Sequence, residues 1–197
     1  RRTGEPRGAL SPEAEAIRAV AEKAPWGGAG AAVSFLAAGE YNRNYVVTSD
    51  GGRYVFRINT DTQLGIEDQI EYEYSVLESV AASGVTPKPV ALGERSTAFP
   101  RGYLVMEWLP GRPLQYERDS DLAASILAAI HALPLPKAPR RALIVQANPI
   151  ADIVEESEGL LDRFEDHPMG AERAKLHRYR ERVARLGEEL EETFRSE

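Results

Sequence analysis

Apolar and polar side chains alternate most regularly between residues 33 and 59. Residues 33–36 are short and apolar, residues 45–48 are aromatic and β-branched, and residues 53–59 alternate without a break. A period of two marks strands that bury one face. On the third strand Tyr54, Phe56 and Ile58 share one face, and Arg53, Val55, Arg57 and Asn59 share the other. Asp50-Gly51-Gly52 reads as a tight hairpin, because consecutive positive-φ positions favour Gly, Asn or Asp. Residues 89–92 form a short strand candidate, placed at an edge by its proline. Residues 94–102 read as a polar turn, and residues 103–109 as an apolar, buried strand broken by Pro110-Gly111-Arg112-Pro113.

The other segments repeat at helical spacing. Ser11 as N-cap, Pro12 at the first position and Glu13 against the dipole open a helix that runs to about Lys23. Ile17, Val20 and Ala24 are its apolar stripe, and Pro25 with Gly27-Gly28 ends it. Residues 1–10 read as a loose terminus. Residues 66–82 place Ile66, Ile70, Tyr74, Leu77 and Ala81 on one face. Glu73 falls within that arc, whereas Glu67, Glu71 and Glu78 fall toward solvent. Gly84, Pro87 and Pro89 close this helix. Further helices are expected over 119–133, 150–164 and 171–194, with a proline-rich connection at 134–141 and a loop at 166–170. On the last helix Leu176, Tyr179, Val183, Leu186 and Leu190 recur at spacings of three and four, the pattern of a coiled-coil seam. Its short extent favours a long helix packed on its own domain. Strand signals stop at residue 109, so the organisation reads as a tail and helix (1–32), a strand-rich lobe (33–109) and a helical part (110–197) of an α+β protein.

Composition narrows the function classes. The 197 residues are 43% hydrophobic and 28% charged, which is ordinary for a globular chain able to bury a core. A formal net charge of −7 argues against binding nucleic acid through a basic face. There is no cysteine, hence no disulfide framework and no thiolate metal site. No apolar run reaches membrane-spanning length, and the start does not resemble a signal peptide, so the expected compartment is the cytoplasm. His131, His167 and His177 stand singly, without a second ligand at metal-binding spacing. No G-x-S-x-G elbow occurs.

Two features carry chemistry. Arg57 puts a permanent forked cation in mid-strand between apolar neighbours, where burial demands a partner. Glu73, on the inward arc of the helix at 66–82, either snorkels to water or supplies that partner. The loop Ala37-Ala38-Gly39-Glu40-Tyr41-Asn42-Arg43-Asn44 is either an ordinary hairpin loop or a phosphate cradle built from backbone amides and Asn side chains.

The order of these pieces is the layout of a kinase N-lobe: strand, small glycine loop, strand, turn, strand with an inward cation, helix with an inward Glu, two strands and a sharp linker to helices. Residues 33 to about 135 resemble the aminoglycoside phosphotransferase/choline kinase-type family, whose fold is similar to that of protein kinases. The matching segments are L-A-A-G-E-Y-N-R-N-Y-V-V, R-Y-V-F-R-I-N, E-Y-E-Y-S-V-L-E-S-V-A-A-S-G-V-T-P-K-P, Y-L-V-M-E-W-L-P-G-R-P-L and the helix end I-H-A-L-P. The resemblance implies ATP and Mg²⁺ as cofactors and a small-molecule hydroxyl as acceptor, with no nucleic-acid or membrane partner. It implies that Gly39 and Asn42 lie in the phosphate loop and that Arg57 holds the α- and β-phosphates with Glu73 as its helix partner. It further implies that Val55 roofs the adenine, Met106 is the gatekeeper, and Glu107 carbonyl and Leu109 amide meet the adenine edge, leaving the Glu107 side chain free toward solvent. Arg57 departs from the Lys of many members. A catalytic loop would need a carboxylate five residues before an Asn, and none of Asn42, Asn44, Asn59 and Asn148 has one. The chain is therefore expected to be an N-terminal piece of an ATP-dependent phosphotransferase, inactive alone, with metal ligands outside it. A binding-only pseudokinase module and a structural protein assembling through its last helix are the alternatives.

Overall fold

The computed structural model describes residues 10–63, 65–144, 149–163 and 173–195. The chain divides into two compact units, Arg1–Leu143 and Ile144–Glu197. In the first, α1 (Pro12–Lys23) precedes β1 (Ala32–Ala38), β2 (Asn42–Ser49) and β3 (Gly52–Asn59). After these come α2 (Gln69–Val80), a 3₁₀ turn (Ala81–Ser83), β4 (Pro89–Gly93), β5 (Tyr103–Glu107) and α3 (Tyr116–His131). The strands form one antiparallel sheet in the order β1-β2-β3-β5-β4, as an α+β kinase-like lobe requires. Pro89 sits at the start of an edge strand, where its missing N–H costs no ladder bond.

The alternation along the strands gives the sheet two unlike faces. Tyr45, Phe56 and Val105 are cross-strand neighbours, as are Ile58 and Tyr103. With Val33 and Val47 they meet Ala14, Ile17 and Ala21 of α1 in the main core. Phe99 joins them at 2% exposure, although residues 94–102 read as a polar turn. Reciprocal bonds between the Ser96 and Phe99 backbones (3.0 and 3.1 Å) close that turn. Its one aromatic then folds inward, 5.4 Å from Phe56 and 5.2 Å from Tyr103 between ring centroids. Gly93 is opposite Tyr103, and a Cβ there would lie 2.0 Å from that ring, so only Gly lets the ring cross the strand. The opposite face carries Val46, Val55 and Met106 in register, with Arg57 beside Leu104.

Three expectations change in detail. The β2–β3 turn has no positive φ at Asp50 or Gly51; the positive value is at Gly52 (129°), paired with Ser49. Gly65, at φ 66°, precedes α2, which starts at Gln69 rather than Ile66. Glu67, Glu71 and Glu78 do face outward, but each meets an arginine: Arg95, Arg141 and Arg140 respectively. The Arg140 and Arg141 bonds strap residues 140–141 to α2, together with Arg141 N–H donating to Ser75 Oγ at 3.0 Å. The division between the two units falls after Leu143, so the interval between β5 and α3, which contains Leu109, lies within the first unit. There Arg112 grips Asp119 through two bonds of 2.6 and 2.8 Å, and Asp119 also accepts the Gln115 N–H. Arg112, then the backbone bond, holds the Asp119 carboxyl below its ordinary value.

In the second unit α4 (Pro149–Arg163) and α5 (Arg173–Arg195) run antiparallel. Arg180 reaches Glu158 (3.2 Å) and Asp162 (3.3 Å), while a Cβ at Gly187 would lie 3.1 Å from Val154 and 3.3 Å from Ile150. The packed face therefore passes through Arg180 and Gly187. The stripe expected to be packed is not buried: Tyr179, Val183, Leu186 and Leu190 are exposed. The Leu176 side chain, the terminus at 1–9 and the loop at 166–170 lie outside the described residues.

α1 is tied to the sheet by Glu13 as well as by apolar contact. Glu13 accepts from Arg43 Nη1 at 3.1 Å and from the Tyr45 hydroxyl. Burial, then the hydrogen bond to Glu13, pushes the Tyr45 hydroxyl up from 10.0 to about 12. A raised folded-state value means stability that is complete below the unfolded value and lost as pH rises through the folded one. Unfolding free energy from urea titrations should therefore fall between pH 10 and about 12. Tyr45→Phe should flatten that fall and cost about 1–2 kcal/mol at neutral pH. Tyr103, also raised by burial, should keep a residual slope. An unchanged slope in Tyr45→Phe would contradict the assignment.

Candidate functional site

The site starts from β3. Its α2-facing side carries Val55, Arg57 and Asn59 at alternate positions, with Val55 and Asn59 buried. A cation among such neighbours needs acceptors. Arg57 has two: its Nη1 donates to Glu73 Oε2 at 2.9 Å, and its Nε donates to Asn44 Oδ1 at 3.0 Å. Register places Asn44 directly opposite Arg57, and the wheel position of Glu73 on α2 supplies the carboxylate. Glu73 is saturated from its other side. Its Oε1 accepts from Asn59 Nδ2 at 3.1 Å and from Gln69 Nε2, one helical turn earlier, at 2.9 Å. Asn44 Nδ2 donates to Asn42 Oδ1 at 2.9 Å, so a continuous row of bonds runs from Asn42 to Gln69. The Arg57 and Glu73 side chains are 30% and 19% exposed. Screening by water is therefore partial, and charge-assisted bonds of this kind are worth about 1.5–3 kcal/mol each.

The row borders a cavity of about 580 Å³ between the sheet and α2. One part of its wall is polar, with Asn42, Arg57 and Glu73; another is apolar, with Val76, Leu77, Leu104 and Met106. Such a wall suits a ligand with an anionic end and a flat apolar end.

Of the residues singled out from the sequence, Asn42, Arg57, Glu73 and Met106 meet at this cavity. Gly39 lies in the β1–β2 turn, where its N–H donates to Asn42 O at 2.9 Å. A Cβ at Gly39 would touch the Asn42 side chain at an ordinary 3.5 Å, so neither φ nor space demands glycine there. Val55 is buried between Val46 and Met106 without lining the cavity. Glu107 ends β5, and Leu109 beyond it is exposed. The Glu107 side chain is not free: Lys88 N–H donates to its Oε2 at 3.4 Å, and Glu107 N–H donates to Lys88 O at 2.9 Å. The β4–β5 pairing extends one residue before Pro89 and brings the Lys88 backbone beside it. Trp108 continues the segment, with the Arg53 guanidinium 3.9 Å above its ring.

Asn44, in the candidate phosphate loop, and Asn59, placed by the sequence on the Arg57 face, join Gln69 as partners of the Arg57–Glu73 pair, a role the sequence pattern alone does not assign. Their spacings were visible: two residues after Asn42, two after Arg57 and four before Glu73, each on the same face as its neighbour.

Among known proteins, residues 32–195 match the phosphotransferase enzyme family. A structure from Ralstonia eutropha, provisionally assigned as an aminoglycoside phosphotransferase, superposes with a TM-score of 0.51 at 22% identity, covering 83% of this chain and 51% of its own. Choline kinase from Cryptosporidium parvum gives a TM-score of 0.51 at 15% identity, covering 85% of this chain and 49% of its own. The chain spans about half the length of these solved structures. No curated protein matches it. At these identities the structural likeness establishes the fold.

The pairing at the cavity is open to a double-mutant cycle. Arg57→Ala and Glu73→Ala should each lower unfolding free energy by about 2 kcal/mol, because each strands polar groups of the row. The double variant should lose less than the sum by about 1–2 kcal/mol. Additivity in urea titrations would show that the two groups do not interact.

Proposed function

The chain belongs to the phosphotransferase enzyme family, and on that premise we propose that its first unit holds the ATP of a phosphoryl transfer to a small-molecule hydroxyl. The observation that carries this reading is the Arg57–Glu73 pair, 2.9 Å apart at the wall of a half-apolar cavity. In the proposed complex Arg57 takes the α- and β-phosphates, and Glu73 keeps the guanidinium from swinging away. Asn42 and the turn containing Gly39 add donors at the phosphate end. Met106 supplies the apolar surface for adenine, with Val55 as its buried register neighbour on β3, and the adenine edge meets the Glu107 carbonyl and the Leu109 amide.

In such a transfer the bond from the γ-phosphorus to the bridging oxygen breaks as a bond to the acceptor oxygen forms, and the hydroxyl proton goes to a base. Catalysis is mostly positioning and electrostatic stabilisation. The cavity residues fit the nucleotide-holding part of that task. Mg²⁺ does not fit them: among the described residues no three His, Cys, Asp or Glu side chains converge. One buried acceptor, Asn59 Oδ1, lacks a partner among the described residues, but the neighbouring Glu73 oxygens are already taken. The reading therefore places the metal ligands and the base outside the described residues.

A second reading, assembly through α5, draws on the exposure of Tyr179, Val183, Leu186 and Leu190. Sedimentation separates it: concentration-dependent dimers abolished by Leu186→Glu support assembly, and a monomer at all concentrations removes it. Among the described residues no helix is long and apolar enough to cross a membrane.

For the nucleotide reading, calorimetric titration of the 197-residue chain should show weak ATP binding, lost in Arg57→Ala. ATP turnover with small alcohols should be undetectable. Robust Mg²⁺-dependent phosphorylation by this chain would place the catalytic groups within it after all.

A further inference from the structure

Glu73 is only one of two groups that hold Arg57, and the second bears on the ligand. The Nη1 bond to Glu73 (2.9 Å) and the Nε bond to Asn44 (3.0 Å) leave from different corners of a rigid planar fork. Together they fix its rotation, which neither would do alone. Asn44 is itself fixed, because its Nδ2 donates to Asn42 Oδ1 at 2.9 Å and so decides which way the amide faces. That direction turns the Asn44 oxygen toward the guanidinium and engages the Asn42 oxygen. Arg57 Nη2 and Asn42 Nδ2 then have no partner among the described residues, and both side chains line the cavity.

We infer that Asn44 is a positioning residue for an anionic ligand of this cavity, an inference that rests on the nucleotide reading. With one amide it orients a cationic donor on β3 and a neutral donor on β2. The ligand class that uses two such adjacent donors is a polyphosphate chain, whose successive phosphates each present acceptor oxygens. A lysine at position 57 would carry a single nitrogen able to swing about its stem, with no planar fork for Asn44 to fix.

The experiment compares the wild-type chain with Asn44→Leu and Asn44→Asp, using inorganic tripolyphosphate, ATP and adenosine as probes. Asn44→Leu should bind tripolyphosphate and ATP about tenfold more weakly while binding adenosine as the wild type does. Asn44→Asp retains an acceptor for Arg57 Nε but cannot donate to Asn42, and it sets a carboxylate beside the phosphates. Its loss for the two phosphate probes should exceed that of Asn44→Leu, again with adenosine unchanged. Should Asn44→Leu fail to fold, Asn44→Asp carries the test. Wild-type affinity for tripolyphosphate in the folded variants overturns this inference alone. So does an equal loss for adenosine, which is what a merely structural residue would give. Failure of the wild-type chain to bind either phosphate probe overturns the inference together with the nucleotide reading.

Discussion

A permanent charge in the middle of a strand, on the face where a helix packs, is the constraint around which this lobe is arranged. Arg57 brings five N–H donors and a positive charge to this face, so its surroundings must satisfy it. Satisfaction comes from both directions. β2 offers Asn44 at the opposite register position, and α2 turns Glu73 inward at 2.9 Å. Once Glu73 is committed, its second oxygen needs donors, and Asn59 and Gln69 provide them. The start of α2 at Gln69 and the alignment of β2 on β3 are therefore linked to the same cation.

The two faces of the sheet divide the labour. The α1 side is an aromatic and aliphatic core: Phe56 stacks on Tyr103 at 4.4 Å, and Ile17 and Ala21 are fully buried. Glu13 extends α1 onto β2 through Arg43 and Tyr45. With rigidity supplied there, the α2 side can hold a polar row and a cavity without collapsing on them. A charged row that is saturated within itself, yet leaves donors toward a cavity, is preorganised for an anion.

Arg57 and Glu73 were legible because two independent periods pointed at the same oddity. Period two put a cation on an apolar strand face, and period 3.6 put a carboxylate on an apolar helix arc. Asn44, Asn59 and Gln69 were not legible as partners, because face and loop position do not say which donor meets which acceptor until the register is known. Phe99 was hidden for the opposite reason: a single aromatic in a polar stretch has no period. The α5 stripe misled because apolar periodicity counts side chains. Close packing on α4 instead uses Gly187, which has none. The Glu107 side chain was read as free because the pairing of Lys88 with it depends on the β4–β5 register rather than on local pattern.

In the proposed function ATP enters the cavity bordered by Arg57 and Met106. The chain has two methionines, Met106 and Met169, so methyl-labelled methionine gives a two-signal NMR spectrum that Met106→Leu assigns. ATP should shift the Met106 methyl signal saturably, and Arg57→Ala should abolish the shift. A Met106 signal that stays in place while ATP saturates the chain, as judged by calorimetry, would contradict the proposed function.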